Sequence, residues 1–198
     1  ESLRGWPPMV SGPNGQYSLN FASVNRNKRS IVLDLKDEKS QDTAWRLIEN
    51  ADILLENYRP GVMRRLGFGY EEASKRNPRL VYCSVSGYGQ TGPYAQRGAF
   101  DVAVQGMSGM MSVTGEREGP PAKCGVPVAD FGTATMAALA CVVALRSAEQ
   151  TGTGSRLDVS MLSCMLSMAA LQTSEYWGTD MAPARLGSAH PRNAPYQA

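Results

Sequence analysis

The amino-acid sequence predicts an α/β fold built on a parallel β-sheet, and three observations support that prediction. Residues 31–35 (IVLDL) and 51–57 (ADILLEN) are apolar runs of strand length, separated by a helix-spaced segment at residues 40–50. A strand, a helix and a strand this close together form a βαβ unit, which requires parallel strands and a right-handed crossover. Residues 80–86 and 156–160 repeat the strand pattern further along the chain.

The segments that flank the first predicted strand are rich in turn-forming and basic residues. Residues 1–23 hold three prolines and three glycines with little hydrophobic periodicity, which predicts an extended segment without regular structure. The polar run at residues 25–30 (NRNKRS) leads directly into the strand. Such a run forms either a solvated turn or a turn that binds phosphate, and the local sequence leaves both interpretations open.

Polar residues follow the predicted strands, at the edge of a parallel sheet where ligands gather. Lys36 and Asn57 fall at two strand ends, and short helices are predicted over residues 62–66 and 70–76. Residues 87–93 (GYGQTGP) form a glycine-rich loop after the third strand, without the dinucleotide-binding fingerprint or the P-loop lysine. We therefore interpret that loop as a structural turn.

Two aspartates stand at predicted helix starts. Asp101 opens a helix over about residues 102–111, and Asp130 opens a long apolar helix. An aspartate at this place normally caps the unpaired backbone N–H groups. Asp130, however, is the only charged residue between Lys123 and Arg146 and has small neighbours, so a near-buried functional carboxylate is the alternative.

The last third of the chain predicts two further helices and a linker. The Asp130 helix runs to about residue 145 and stops at Gly152, where a helix C-cap favours glycine. The methionine-rich helix at residues 161–177 is typical of core packing. Residues 178–198 are again rich in proline and contain the only histidine, His190.

The composition of the chain narrows the classes of function that it can have. A net charge of +2 excludes broad electrostatic recruitment to nucleic acid or membrane as the main function, whereas arginine supplies 15 of the 20 cations and favours anionic small molecules. Four cysteines without C-x-x-C spacing predict reduced, buried thiols. One histidine without triad partners predicts neither a hydrolase triad nor a metal site, and we expect no signal peptide or membrane span.

Six motifs, in this order, resemble the class III CoA-transferases of the CaiB/BaiF family. They are residues 24–36 (VNRNKRSIVLDLK), 51–61 (ADILLENYRPG), 66–70 (LGFGY), 86–93 (SGYGQTGP), 100–101 (FD) and 126–134 (VPVADFGTA). The resemblance covers nearly the whole chain and implies a Rossmann-like, parallel-sheet large domain that forms an interlocked homodimer when complete. It also implies that the chain is an internal piece: residues 1–178 belong to the large CoA-binding domain, without its amino-terminal strand–helix unit, and residues 179–198 begin the linker to a small domain.

The resemblance implies a transfer reaction at Asp130. The aspartate at this position is the family's nucleophile, and it forms an anhydride and then a thioester with CoA, assisted by backbone N–H groups and kept ionised by the helix start. Coenzyme A and acyl-CoA are substrates, with no metal and no permanently bound cofactor. Asp101 matches a second carboxyl position. The positions that match CoA contacts are Leu33, Lys36, Asn57, Tyr58, Arg59, Arg65 and Arg97.

Two departures from relatives in the family affect the expected substrate. Phe100 stands where the acyl-CoA racemases carry histidine, which makes racemisation the second choice of function and a non-catalytic CoA-binding module the third. The segment at residues 187–196 resembles that of dicarboxylate-using members, so His190 or Arg192 is expected to meet the distal carboxylate. We expect a cytoplasmic location, or the mitochondrial matrix if the source is a eukaryote.

Overall fold

The computed structural model of the protein describes residues 2–13, 15–191 and 193. Its strands are β1 (Met9–Gly12), β2 (Gly15–Ser18), β3 (Ile53–Glu56), β4 (Val81–Ser86) and β5 (Ser155–Ser160). Its helices are α1 (Leu19–Val24), α2 (Glu38–Glu49), α3 (Val62–Arg65), α4 (Tyr70–Arg76), α5 (Asp101–Met107), α6 (Val128–Thr151), α7 (Met161–Met168) and α8 (Ala170–Thr179). Short 3₁₀ turns occupy Ser2–Gly5 and Met110–Val113.

A parallel sheet with strand order β3–β4–β5 forms the centre of the chain and confirms the predicted α/β class. In the middle strand, Cys83 pairs with Leu55 of β3 and with Leu157 of β5. Almost every residue of β4 is buried, because helices cover both faces of the sheet. The carboxyl ends of the three strands lie at one edge, so the residues that follow β3 and β4 become neighbours.

The side chains of β4 alternate between two helical layers. Tyr82 packs against Phe68 and the α2–α4 layer, where its hydroxyl donates a hydrogen bond to the Phe68 carbonyl at 2.9 Å. Val81 and Cys83 point to the opposite face, against α6. The α6 residues buried there are small, which lets the helix lie close to the sheet: Ala137, Cys141, Ala144 and Ala148.

The predicted strand at residues 31–35 is absent. Within the described residues, β3 is an edge of the sheet and no strand pairs with this segment, which therefore lacks a backbone ladder. Leu33 and Leu35 still pack onto the core beside α2, whereas Val32 is 95% exposed. The alternating pattern therefore anchors an irregular segment, and Lys36 lies in a turn rather than at a strand end.

The expectation of an irregular amino terminus is wrong. β1 and β2 form an antiparallel hairpin, and Gly12 pairs with Gly15 at its turn. Gly15 has a φ of 105°, a conformation that glycine adopts without strain. Ser18 then caps α1, because its hydroxyl oxygen accepts a hydrogen bond from the backbone N–H of Phe21 at 3.1 Å. Glycine and proline mark a hairpin turn here.

The basic run at residues 25–30 forms an exposed turn at the end of α1. The Lys28 ammonium donates hydrogen bonds to the Val24 carbonyl and to the Asn25 side chain, both at 3.0 Å. A lysine at a helix carboxyl end satisfies the last carbonyl groups. The turn is exposed to solvent, and the alternative interpretation as a phosphate-binding turn stays a prediction.

Helix α6 is longer than predicted. It continues to Thr151 and ends, as expected, at Gly152, which has a φ of 73°. An 18-residue window of the 24-residue helix α6 reaches a mean hydropathy of 1.8, so α6 would suffice, by length and composition alone, to cross a membrane. Packing against β4, β5, α5 and α7 is what a core helix of an α/β layer shows.

Two predicted helices are each divided. Gly109, with a φ of 79°, separates α5 from the following 3₁₀ turn, and Ala169 separates α7 from α8. Met161 and Met165 of α7 are buried against α5 and α6, which confirms their role in core packing. All four cysteines are free thiols, and three of them are buried.

Candidate active site

A cleft opens where the segments after β3 and β4 meet the starts of α5 and α6. Its volume is about 380 Å³. The strand ends place one wall and the two helix starts place the other. Six of the predicted catalytic and CoA-contacting residues line this cleft, together with Phe100: Asn57, Tyr58, Arg59, Arg97, Asp101 and Asp130.

Hydrogen bonds at the end of β3 fix the wall that carries Tyr58 and Arg59. The Asn57 side-chain amide donates to the Val85 carbonyl at 2.8 Å and so ties the end of β3 to β4. Buried Glu56 accepts a hydrogen bond from the backbone N–H of Tyr58 at 2.8 Å. These two contacts turn the chain sharply after β3, and the next two side chains therefore face the cleft.

Both arginines of the cleft are held by neighbours that leave their charge uncompensated. Arg59 lies against Gly98: a β-carbon added to Gly98 would come within 3.2 Å of the Nη2 atom of Arg59. Arg97 stacks on the ring of Tyr94, with its guanidinium carbon 4.3 Å from the ring centroid. The ion pairs formed among the described residues include neither arginine. Two free guanidinium groups in one cleft suit an anionic ligand such as a phosphate.

Asp130 is the third residue of α6, and its side chain is exposed rather than near-buried. It does not cap the helix: Pro127 occupies the N-cap position, and no described residue donates a hydrogen bond to the Asp130 carboxylate. Partial desolvation of the carboxylate, followed by the charge of Asp101, raises the pKa of Asp130 above its ordinary value. The pKa of Asp130 is thus shifted in the direction opposite to the one expected from the helix start, which was expected to favour the ionised form. A higher pKa makes the ionised carboxylate a stronger nucleophile.

Asp101 caps a helix, but not the one that it opens. One of its carboxylate oxygens, Oδ1, accepts hydrogen bonds from the backbone N–H groups of Ala129 at 2.8 Å and of Asp130 at 3.2 Å. The other, Oδ2, accepts one from the side chain of Gln105 at 2.6 Å. Asp101 therefore satisfies the start of α6 from α5, and the N–H groups of 129 and 130 are not free to bind an oxyanion.

A second, mostly apolar cleft lies on the other side of Asp130. It has a volume of about 380 Å³ and shares Asn57 and Met161 with the first cleft. Its floor consists of the small residues of α6, Thr133, Ala134, Ala137 and Ala138, while Leu55 and Val85 come from the sheet. Asp130 thus stands between a cation-lined space and an apolar space.

The glycine-rich loop after β4 is held by a residue that the sequence did not single out. Asp158 of β5 accepts a hydrogen bond from the backbone N–H of Gln90 at 2.8 Å, and Ser86 accepts one from Gly89 at 3.0 Å. Gly87 packs so closely on Ala99 that a β-carbon would lie 2.3 Å away. The loop thus supports the segment carrying Arg97, in line with its interpretation as a structural turn.

The remaining predicted contacts do not line the cleft of Asp130. Leu33 packs into the core beside α2, Lys36 lies in an exposed turn, and the Arg65 guanidinium lies beside Gly61 at the start of α3. Their assignment to CoA stays a prediction. His190 lines a separate cleft with Arg117 and Glu175, and Arg192 falls outside the described residues. The dicarboxylate contact of His190 and Arg192 also stays a prediction.

The fold and the cleft define an α/β protein that presents an unpaired carboxylate beside two free arginines, at the carboxyl edge of a parallel sheet. The family model of CoA-transferase family III matches residues 1–198, and the chain belongs to that family. A solved CaiB/BaiF family protein from Brucella suis superposes with a TM-score of 0.93 at 38% identity, over 99% of this chain and 52% of that one.

Curated relatives match the chain along its whole length. Acetyl-CoA:oxalate CoA-transferase from Acetobacter aceti is 46% identical over 99% of this chain and 50% of its own length. Succinate–glutarate CoA-transferase from Agrobacterium fabrum is 40% identical over 100% of this chain and 50% of its own length. The chain therefore spans about half the length of the curated relatives that it matches.

Proposed function

We propose that the protein containing this chain is a CoA-transferase, which moves CoA from an acyl-CoA thioester to a free dicarboxylic acid. The observation that carries the proposal is the Asp130 carboxylate, which lacks a hydrogen-bond partner among the described residues and lines the same cleft as Arg59 and Arg97. An unpaired carboxylate beside free cations suits a nucleophile whose substrate brings phosphates. Relatives named for oxalate, succinate and glutarate support the dicarboxylate class.

The proposed reaction uses Asp130 as a covalent carrier. Its carboxylate oxygen attacks the thioester carbonyl, the carbon–sulfur bond breaks, and CoA leaves as a thiolate, which gives a mixed anhydride. The thiolate then attacks the aspartyl carbonyl, releases the donor acid and forms an aspartyl-CoA thioester. An acceptor carboxylate attacks that thioester to give a second anhydride and free thiolate. Attack of the thiolate on the acceptor carbonyl releases the new acyl-CoA and restores Asp130.

The two clefts give the substrate separate surroundings on either side of Asp130. Arg59 and Arg97 suit the phosphates of CoA, and Tyr58 beside them offers an exposed ring for its adenine or pantetheine arm. Because Asp101 occupies the backbone N–H groups of 129 and 130, the donors that stabilise each oxyanion lie elsewhere than at the start of α6. A racemase would need a second proton-transferring group, and the side chain of Phe100, at the expected place, carries none.

Trapping the carrier tests the proposal directly. The complete protein is incubated with succinyl-CoA and hydroxylamine, then digested with trypsin and analysed by mass spectrometry. Cleavage after Lys123 and Arg146 gives a peptide of residues 124–146 whose only carboxylate side chain is Asp130, so a hydroxamate there is unambiguous. Asp130→Ala should abolish both the adduct and transfer, while Asp42→Asn on exposed α2 serves as the control. Full transfer activity in Asp130→Ala would falsify the mechanism.

A further inference from the structure

Gln105 is a buried polar residue that neither the motifs nor the predicted contacts include. It lies one turn after Asp101 on α5, and its side chain is fully buried. Both ends of its amide are bonded: Nε2 donates to Asp101 Oδ2 at 2.6 Å, and Oε1 accepts from the backbone N–H of Cys124 at 2.8 Å. A buried amide is stable only when both ends are bonded, so the orientation of this side chain is tightly specified.

The contacts of Gln105 continue to the backbone of the nucleophile. Asp101, held by Gln105 on Oδ2, uses Oδ1 to accept hydrogen bonds from the N–H groups of Ala129 and Asp130. Helix α6 has no side-chain cap of its own, because Pro127 stands at its N-cap position. A continuous chain of bonds therefore runs from Cys124 through Gln105 and Asp101 to Asp130.

We propose that Gln105 is a positioning residue for Asp130, acting through Asp101. By holding the Asp101 carboxylate against the start of α6, Gln105 fixes the first turn of that helix. It also fixes the place of a negative charge beside the nucleophile. This inference rests on the proposed role of Asp130, and Gln105 itself touches no substrate.

The charged groups around Asp130 determine how its pKa responds when Gln105 no longer holds Asp101. Asp101 faces it from α5, Tyr58 and Arg59 from the end of β3, and Arg97 from the segment before α5. From α7 the cleft receives only Met161, which is uncharged. Without Gln105, Asp101 keeps only the bonds of Oδ1 to the start of α6, its negative charge is less firmly fixed beside Asp130, and the pKa of Asp130 falls, because Asp101 is one of the two causes that raise it.

The titration of Asp130 can be measured without any CoA transfer. The complete protein is labelled with a water-soluble carbodiimide and glycine ethyl ester over a series of pH values, since carbodiimides react with the protonated carboxyl group. Tryptic peptides 124–146 and 147–156 each contain one carboxylate side chain, Asp130 in the first and exposed Glu149 in the second. Glu149 therefore serves as the internal reference in the same digest.

Three variants separate positioning from a merely structural role. Gln105→Met keeps the length of the side chain but can bond neither partner, and it should move the Asp130 labelling curve to lower pH while Glu149 stays in place. Asp101→Asn should move it in the same direction, and the double variant no further than Asp101→Asn alone. Gln105→Glu should restore the wild-type curve, because a buried glutamic acid beside Asp101 stays protonated and donates its O–H. Gln150→Met, on the last turn of α6, is the control.

Transfer kinetics give the second readout. Gln105→Met should lower kcat by roughly 10- to 100-fold, the cost of a misplaced reacting group, with little change in KM for the acyl-CoA. An unmoved Asp130 labelling curve in folded Gln105→Met, or additive shifts in the double variant, would overturn the inference. Should Gln105→Met not fold, the inference is likewise overturned if Asp101→Asn leaves the curve unmoved or Gln105→Glu fails to match the wild type. Absence of the Asp130 hydroxamate from an enzyme with intact transfer refutes the carrier role of Asp130 instead, and loss of transfer from the wild-type protein refutes the proposed function; the labelling result stands independently of both.

Discussion

Replacing Gly98 with alanine should weaken CoA binding by displacing Arg59, while leaving the fold unchanged. A β-carbon at Gly98 would lie 3.2 Å from Nη2 of Arg59, which is closer than most side chains approach, and 3.7 Å from its Cζ, which is an ordinary contact. The backbone of Gly98 is outside the left-handed region, so alanine fits it without strain. The guanidinium is the movable partner in this contact, and it will shift away from the cleft wall.

The size of the effect follows from the interaction that Arg59 is proposed to make. A hydrogen bond to a charged group contributes about 1.5–3 kcal/mol, so Arg59→Ala should raise the Kd for CoA by about 10- to 150-fold. A displaced guanidinium keeps part of that interaction. If half is lost, Gly98→Ala should raise the Kd by about 3- to 12-fold.

Isothermal titration of the complete protein with CoA measures this change, and pantetheine, which has no phosphate, is the matched ligand. Gly106→Ala is the matched protein control, because a β-carbon there meets only the sulfur of Met111 at an ordinary 3.7 Å. A wild-type Kd for CoA in Gly98→Ala, beside a weakened Arg59→Ala, would refute the positioning of Arg59 by Gly98. An equal loss of pantetheine binding would show that Arg59 does not bind a phosphate.

Three further changes have defined outcomes. Because the folded-state pKa of Asp130 is raised, its ionisation costs stability as the pH rises through that pKa, so Asp130→Asn should raise Tm at pH 7 and lose this advantage in acid. Gly132→Ala would place a β-carbon 2.6 Å from the Met168 methyl group, but this flexible, exposed side chain can move aside and alanine favours the helix by about 1 kcal/mol, so the urea-measured free energy of unfolding should fall by less than about 1 kcal/mol or rise. Asp158→Ala removes the acceptor for the Gln90 N–H and should cost about 0.5–1.5 kcal/mol, with faster proteolysis of the glycine-rich loop.

The sequence predicted those features that depend on short stretches of chain. Apolar, β-branched runs indicate the buried strands β3, β4 and β5, and Gly152 ends α6 at the position that its residue type predicts. Residues 31–35 carry the same signal and yet form no strand, because a strand also needs a partner strand and none of the described strands pairs with them. Local propensity cannot report the presence of that partner.

The candidate site shows the same limit at the level of side chains. Asn57 to Arg59 follow a strand directly, so their place at the sheet edge could be inferred from their position in the chain. Asp101 caps a helix whose first residues, Ala129 and Asp130, lie 28 and 29 positions further along the chain. Nothing in the local sequence distinguishes this cap from an ordinary cap of α5. Gln105 carried one available signal, its spacing of one helical turn from Asp101, which places both side chains on one face.

The lack of hydrogen bonds to the Asp130 carboxylate affects how its two oxygen atoms are exchanged during turnover. In the proposed cycle, one aspartate oxygen leaves with the donor acid and one oxygen of the acceptor takes its place. Because no described residue holds either oxygen, the group can turn about its bond to the β-carbon between turnovers. The two oxygens are then interchangeable, and repeated turnover replaces both with oxygen that entered on acceptor acids.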